Sequence, residues 1–327
     1  MLDAWRRYTP GLITAGMIAL AATFVAEHYG GPQFLYALFF GISFNFLADD
    51  ARTRPGIELA ARTVLRAGVA LLGARITLEQ IASLGATTVL LMMVAVLCTI
   101  AFGAWLARCM RQPIADGLLT GGAVAICGAS AALAIAAVLP RNERSSQFTL
   151  LTVVGVTLLS TVAMVLYPLA VRMAGFDAGA AGIFLGGTIH DVAQVVGAGY
   201  IISPQAGANA TFVKLLRVAM LLPVVLALSF AYRGRGGAVS GTPLVPWFLA
   251  AFAALAAASS FGLLPPAAVT SLSDISRGCL VTAIAALGVK TSFKEFASLG
   301  WRPVALLVGE TLFLGALVFG TLFFTWR

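Results

Sequence analysis

The amino-acid sequence predicts an all-α polytopic membrane protein with about eleven transmembrane helices. Hydrophobic residues make up 60% of the 327-residue chain, charged residues only 10%, and the mean hydropathy is +0.96. A water-soluble domain of this length needs a larger charged surface and amphipathic rather than uniformly apolar helices. The composition therefore excludes a soluble globular fold, and the bilayer is the expected solvent for this chain.

Apolar segments of roughly 17 to 25 residues have the length that a helix needs to cross about 30 Å of hydrocarbon. They lie at residues 11–28, 33–48, 57–74, 87–107, 116–139, 148–171, 178–199, 209–231, 244–263, 267–289 and 303–325. The first follows Arg6 and Arg7 and shows no small-residue cleavage site. We therefore expect a retained helix rather than a signal peptide.

The net charge of +8 comes from residues in short loops, not from one face of a helix, which argues against a nucleic-acid partner. If the N-terminus is cytoplasmic, the loops on that side carry Arg52, Arg54, Arg108, Arg111, Arg172, Arg233, Arg235, Lys290, Lys294 and Arg302. The opposite loops hold mainly Arg75, Arg141 and Arg144. The positive-inside rule thus predicts a multi-pass protein of the bacterial inner membrane with a cytoplasmic N-terminus.

A sequence repeat divides the chain. Residues 62–85 read RTVLRAGVALLGARITLEQIASLG and residues 277–300 read RGCLVTAIAALGVKTSFKEFASLG, with identity at 9 of 24 positions. The copies extend to units near 32–110 and 246–327, and a Gly-rich linker at 233–242 lies between the halves. An odd number of spans separates the copies, so we expect them to cross in opposite directions, as in the inverted repeats of secondary transporters. Duplication retained only for packing is the alternative.

Arginines inside apolar segments are candidate ligands for an anion. Arg62 and Arg66 are one helical turn apart, and Arg277 is the repeat equivalent of Arg62. Guanidinium groups bind oxyanions through planar bidentate hydrogen bonds, so Arg62 and Arg277 are expected to converge on one anion near the midplane. Alternatively, Arg62 and Arg66 snorkel or pair with Glu58 and Asp274 at helix ends.

The segment at 178–199 contains the densest polar cluster within an apolar span: His190, Asp191 and Gln194, between glycines. The glycines allow the helix to break and to expose backbone N–H groups to a substrate. His190 titrates near neutral pH and Asp191 favours its neutral form when buried away from a cation, so either is a candidate for proton coupling. The alternative is an interhelical hydrogen-bond cluster with no ligand.

A second broken helix is expected at 116–139, around Cys127, Gly128 and Ser130. If the helix restarts near Gly128, its N–H groups and the Ser130 hydroxyl form an anion site without any formal charge. Small residues also permit close helix packing in lipid, which is the alternative. Lys214 and Arg217, three residues apart in the span at 209–231, either face the same cavity or snorkel to the interface.

The chain resembles the sulfate exporter family, the YeiH-type conserved hypothetical membrane proteins of bacteria. The name of that family implies export of sulfate. The resemblance covers most of the chain and rests on the motifs Leu72-Gly-Ala-Arg75, Ala125-Ile-Cys-Gly-Ala-Ser130, Gly187-Thr-Ile-His-Asp-Val-Ala-Gln194, Lys214-Leu-Leu-Arg-Val218 and Leu287-Gly-Val-Lys-Thr291. The layout is also similar to transporters with inverted repeats and crossed broken helices, such as sodium/proton antiporters and bile acid transporters, by analogy of fold alone. The two glycine-rich segments are not repeat mates, which leaves open which helices form a crossed pair.

The sequence is interpreted as that of a secondary transporter for a small anion such as sulfate, an organic sulfonate or a carboxylate, with a proton or sodium as possible coupling ion. The expected lining is Arg62, Arg277, Cys127, Gly128, Ser130, His190, Asp191, Gln194 and Lys214. No cofactor or metal is expected, and a homodimer is left open. A cation antiporter relying on Asp191, Glu310 and Asn45, or a membrane-embedded enzyme or sensor, is the alternative.

Overall fold

A computed structural model describes residues 2–30, 32–75, 85–140, 143–232, 247–291 and 301–325, and these residues form helices and short connections without a β-strand. The prediction of an all-α polytopic membrane protein is confirmed. The linker at 233–242 and the repeat positions at 76–84 and 292–300 lie outside the described residues.

The α-helices of the described residues follow one another with short connections. They are α1 (Leu2–Tyr29), α2 (Gln33–Ser43), α3 (Arg54–Leu59), α4 (Leu65–Leu72), α5 (Gly85–Cys109), α6 (Ile114–Ala125), α7 (Ala129–Val138), α8 (Glu143–Met173), α9 (Ala178–Thr188), α10 (Val192–Ile202), α11 (Pro204–Ala219), α12 (Leu221–Ala231), α13 (Trp247–Ser260), α14 (Pro266–Lys290) and α15 (Trp301–Thr325). A π-helical turn, Ala60–Val64, joins α3 to α4.

Long apolar helices account for the membrane character of the chain. Six stretches of the described residues are long and apolar enough to cross a bilayer: Arg7–Tyr29, Gly85–Cys109, Gln147–Met173, Pro204–Ala231, Pro266–Lys290 and Trp301–Thr325. On α5, Leu90 and Leu97 are more than half exposed, as expected for side chains that face lipid. All the predicted apolar segments contain helix, but those at 116–139 and 178–199 are each made of two short helices.

The chain divides into two compact units. The first consists of Met1–Ser83, Val196–Ala208 and Pro246–Ser292, and the second of Leu84–Val195, Asn209–Val245 and Phe293–Arg327. Each repeat copy contributes its first helices to the first unit and its following long helix, α5 or α15, to the second. Both helix interruptions lie in the second unit.

Within the first unit, the two repeat copies pack against each other through equivalent glycines. A Cβ on Gly288 would run into the carbonyl of Leu38, and a Cβ on its repeat mate Gly73 would run into the carbonyl of Phe252. Leu38 and Phe252 occupy corresponding places in the first helix of their copies, α2 and α13. In each copy, the first helix of the other copy therefore packs against the equivalent glycine, Gly73 or Gly288.

This packing predicts different consequences for two glycines of α14. Gly288→Ala is expected to lower the free energy of unfolding by about 1–3 kcal/mol, because the added methyl meets backbone that cannot yield easily. Gly278→Ala is the matched control, since nothing lies within 4 Å of the Cβ it would add. The apparent melting temperature of the purified protein in detergent distinguishes them, and equal shifts would contradict the proposed close approach.

Candidate functional site at two helix breaks

The first helix break separates α6 from α7. After Ala125 the chain leaves the helix for three residues and restarts at Ala129. Gly128, at the N-cap of α7, has φ +65° and ψ −127°, a conformation that residues with a Cβ rarely adopt. Glycine at this position therefore permits the break that the sequence predicts at 116–139.

The second break separates α9 from α10, and it lies against the first. Ile189 is extended, with φ −66° and ψ 139°, and the helix resumes at Val192. Asp191 caps the new helix, because its Oδ1 accepts a hydrogen bond from the Ala193 N–H at 2.8 Å. A Cβ on Gly128 would lie 3.6–3.7 Å from backbone and side-chain atoms of His190, so the two breaks are in contact distance of each other.

Two buried cations on α11 join the C-terminal ends of the interrupted helices. Lys214 is fully buried, and its Nζ donates to the carbonyls of Ile126 (2.6 Å) and Ile189 (3.0 Å). These carbonyls follow α6 and α9, where the helix leaves its last carbonyl groups without internal partners. The ammonium group therefore bonds one carbonyl at each break.

Arg217, one turn further along α11, makes the same type of link with more donors. Its Nε donates to Ala125 O (2.7 Å) and its Nη2 to Val124 O (2.8 Å), both at the end of α6. Its Nη1 donates to Gly186 O (2.9 Å) and Ile189 O (3.1 Å), at the end of α9. Helix C-termini carry partial negative charge, so the guanidinium both fills hydrogen bonds and complements the helix dipoles.

His190 links the breaks to α15. The ring is fully buried, with Nδ1 at 3.2 Å from the Val124 carbonyl and Nε2 at 3.0 Å from the Thr311 hydroxyl. A carbonyl can only accept, so Nδ1 carries the proton and Nε2 of the neutral ring accepts from Thr311. The imidazole is thus held in one tautomer between two elements of the second unit.

Polar groups that are not fully used remain at the second break. Gln194 is 1% exposed, its Nε2 is 3.5 Å from the Thr161 hydroxyl, and its Oε1 has no hydrogen-bond partner among the described residues. Buried polar atoms are rarely left unpaired, so this amide is suited to a water molecule or a ligand. A flip of the amide would offer an N–H donor instead of the oxygen.

The N-terminus of α7 offers further donors. Its first backbone hydrogen bond runs from Ala132 N–H to Gly128 O, so the N–H groups of Ala129 and Ser130 precede the helical ladder. Gly128 has no side chain to cap this terminus, the Cys127 thiol hydrogen-bonds to the backbone of Ala131, and Ser130 is exposed. Helix N-termini bind anions through these N–H groups and the positive end of the helix dipole.

The structure brings together seven of the nine predicted site residues, all in the second unit at the breaks or bonded to them: Cys127, Gly128, Ser130, His190, Asp191, Gln194 and Lys214. It also identifies which segments pair, because the two glycine-rich segments meet at the same cations. Lys214, however, holds carbonyls rather than lining an open space. Whether these residues bind substrate stays a prediction.

The structure places both arginines of the clamp hypothesis, Arg62 and Arg277, in the first unit. Both are exposed, and they line different cavities of the first unit. Arg62 lies on the π-helical turn, in an open cavity with Arg7, Arg54, Glu58 and neighbouring residues. The Nε of Arg277 instead donates to Gln33 at 2.9 Å, beside a cavity of about 90 Å³ that Arg75 and Tyr200 also line. Convergence of the two arginines on one anion stays a prediction.

The sequence interpretation left out several groups of the site. Arg217 was recognised only as a neighbour of Lys214, although the three-residue spacing on an apolar helix placed both on one face. Ser160, whose Oγ accepts from Asp191 N–H at 3.0 Å, and Thr311 gave no signal, since hydroxyl residues are common in membrane helices. Asn45 has a packing role instead: its Nδ2 donates to Val289 O at 2.7 Å in the first unit.

The fold and site define a polytopic membrane protein in which two interrupted helices meet over buried cations. The chain matches the family described as Conserved hypothetical protein 698 over residues 10–307. It is 51% identical to the UPF0324 membrane protein CT0845 of Chlorobaculum tepidum over 96% of this chain and 89% of that protein. It is also 51% identical to the UPF0324 membrane protein TauZ of Paracoccus denitrificans, over 94% and 93% of the two chains. No solved structure matches.

The protein therefore belongs to the Conserved hypothetical protein 698 (UPF0324) family. This is the family that the motifs around Cys127, His190 and Lys214 predicted, and the resemblance is confirmed.

The carbonyl contacts predict that Lys214 is needed for folding. Lys214→Met, which keeps most of the side-chain volume, is expected to lower the free energy of unfolding by about 2–4 kcal/mol, because it leaves two buried carbonyls without a donor. Arg302→Gln, at an exposed arginine of α15, is the control and should have little effect. Apparent melting temperatures in detergent provide the measurement. A Lys214→Met protein with unchanged melting but lost anion binding would show that Lys214 serves a ligand first.

Proposed function

We propose that this protein is a secondary transporter, not an enzyme, which carries a small oxyanion such as sulfate, an organic sulfonate or a carboxylate across the bacterial inner membrane. The observation that carries the proposal is the meeting of two interrupted helices in the second unit, with more positive than negative charge around them. Discontinuous helices form the substrate sites of many transporters, because their ends present unpaired backbone groups inside the membrane.

The balance of charge at the breaks favours an anion. Lys214 and Arg217 are fully buried basic side chains, and Asp191 is the half-buried acid beside them. The N-termini of α7 and α10 add partial positive charge, roughly half an elementary charge for each helix. A buried excess of positive charge is unfavourable in hydrocarbon until an anion joins it. The charges thus support an anionic substrate over a cation.

We place the anion at the N-terminus of α7, beside the second break. The N–H groups of Ala129 and Ser130 and the Ser130 hydroxyl would donate to its oxygens, and the Gln194 amide, flipped so that its NH2 group is the free end, would donate a further hydrogen bond. Cys127, just before this terminus, is a thiol with no described metal cluster around it. In this proposal Lys214 and Arg217 set the potential of the site and fix its backbone, and they do not touch the substrate.

In the proposed cycle, the second unit holds the anion and the first unit, with its repeat-related helices, acts as the scaffold. Alternating access is commonly achieved by rocking of one such body against another around a fixed site. We further propose that the N-terminus is cytoplasmic, as the distribution of arginine and lysine predicts. Export of sulfate, which the resemblance to a sulfate exporter family implies, is one direction that this mechanism permits.

A ligand screen followed by exchange in proteoliposomes tests the proposal. Sulfate, sulfite, taurine, a carboxylate and sodium chloride are compared for their effect on the melting temperature of the purified protein. An anion at a hundred times its dissociation constant should stabilise the native state by about 2.7 kcal/mol. The same anion, labelled and trapped in vesicles, should exchange with external anion. Stabilisation and flux with sodium alone, and with none of the anions, would overturn the proposal.

Asp191→Asn distinguishes an anion carrier from a cation carrier. Asparagine can still cap α10 by accepting from the Ala193 N–H, so the fold is expected to persist. Loss of one negative charge beside the site should strengthen anion binding by several-fold, whereas a cation carrier would lose its ligand. The measurement is the concentration of anion that gives half-maximal thermal shift, relative to wild type. A weaker affinity in a protein of unchanged melting temperature would contradict an anion site.

A further inference from the structure

A second buried acid of the second unit, Glu310 of α15, is not part of the proposed anion site. The residue is fully buried. Its Oε1 is 2.7 Å from the Thr120 hydroxyl of α6, and its Oε2 has no hydrogen-bond partner among the described residues. A carboxylate in such a position would be a bare charge in hydrocarbon, which is strongly unfavourable.

The hydrogen bonds of Thr120 fit the protonated acid. Thr120 has one hydroxyl proton but three oxygens within reach: Glu310 Oε1, the Asp116 carbonyl at 3.0 Å and, more distant, the Gly117 carbonyl at 3.4 Å. If Glu310 is protonated, it donates to Thr120, and Thr120 donates to the carbonyl one turn below. Both hydroxyl protons then have an acceptor. If Glu310 is ionised, Thr120 must turn to it, and Oε2 still has no donor.

No described charge compensates an ionised Glu310. The helices packed against α15 and the adjoining break carry Arg108 and two cysteines, Cys98 and Cys109, on α5, Asp116 on α6, Arg144, Tyr167 and Arg172 on α8, Asp177 at the start of α9, and His190. Asp116 is paired with Arg144 at 2.8 Å. None of these groups is hydrogen-bonded or ion-paired to Glu310 in the part of the chain that the structure describes.

The carboxyl lies in a tight seam between helices. A Cβ on Gly103 of α5 would meet both Glu310 Oε1 and the Gly117 carbonyl of α6, so no room is left for a side chain there. Hydration of the carboxylate therefore requires that α5, α6 and α15 separate. The next residue, Thr311, bonds His190 at the second break, so movement of α15 reaches the candidate anion site directly.

We propose that Glu310 is the proton-carrying group of the transport cycle, an inference that rests on the proposed transport function and names its coupling ion. In the described arrangement the carboxyl holds one proton. When the seam opens, the O–H bond breaks, the proton passes to water and the carboxylate remains, hydrated. Reprotonation from the opposite side closes the seam again. One proton thus crosses with each full turn of the cycle.

Glu310→Gln tests this assignment, because the amide resembles the protonated acid and cannot release a proton. Wild type and variant are reconstituted, and uptake of labelled sulfate and of labelled taurine is measured in two ways: as exchange without a pH gradient and as accumulation driven by one. Exchange should persist in the variant, and accumulation should fall to the level seen without a gradient. Glu27→Gln, at an exposed acid near the end of α1, is the control that keeps both.

The two proposals fail in different ways. If wild type shows no exchange, the transport function is wrong. If wild type exchanges anion but its gradient-driven accumulation is absent, or is equal to that of Glu310→Gln, the proton role is wrong and the transport function stands.

An infrared pH titration checks the acid independently of transport. The difference spectrum of wild type minus Glu310→Gln should show a protonated-carboxyl band that disappears as the pH rises. A band present at every pH, or at none, overturns the proposal.

If Glu310→Gln does not fold, the same titration is made with isotope-labelled glutamate in wild type and in Thr120→Val. Loss of the Thr120 hydroxyl removes the single described partner of the carboxyl. The band of the protonated acid should then move and persist to higher pH than in wild type, since an ionised Glu310 would lose its donor. An unmoved band contradicts the assignment.

Discussion

The arrangement of the second unit depends on the contact between two buried cations and the C-terminal carbonyls of two interrupted helices. A helix that stops inside a membrane exposes carbonyl groups with no water to receive them. Lys214 and Arg217 supply the missing donors to both breaks from one helix face. Because the same pair bonds α6 and α9, the two side chains also fix the relative position of the breaks. The position of the N-terminal ends of α7 and α10, which begin at the breaks, is fixed in turn.

The same contact gives the site its charge. Carbonyl oxygens carry only partial negative charge, so they fill the hydrogen bonds of Lys214 and Arg217 without the charge compensation that a carboxylate would give. Structure and electrostatics thus arise from the same two side chains. Glu310 is the opposite case, a potential anion whose single described hydrogen-bond partner is the Thr120 hydroxyl, and it is suited to holding a proton.

Much of this could be predicted from the sequence. Uniform apolar runs identify membrane helices, and Gly128 identifies the first break, since glycine readily adopts the backbone angles that this position requires. The second break, at 189–191, contains no glycine, although a Gly-Gly pair precedes it within α9. Convergence could not be predicted, because it depends on which helix faces meet. Arg62 and Arg277 are equivalent in sequence, but equivalence in a repeat places residues in similar local surroundings and does not by itself bring them to one point. The sequence left open whether Lys214 faces a cavity or snorkels to the interface, and its carbonyl partners are residues with no sequence signal.

The exchanged glycine contacts of the first unit bear on how the chain is made. Gly73 receives backbone from Phe252, and Gly288 receives backbone from Leu38. Because the chain is synthesised from its N-terminus, α2 and α4 enter the membrane before α13 and α14 have been made. Until then, the surfaces of α2 and α4 that pack against those helices lack their partners. The N-terminal helices cannot reach their final arrangement until α13 and α14 have been inserted, so assembly of this unit is completed only near the end of synthesis.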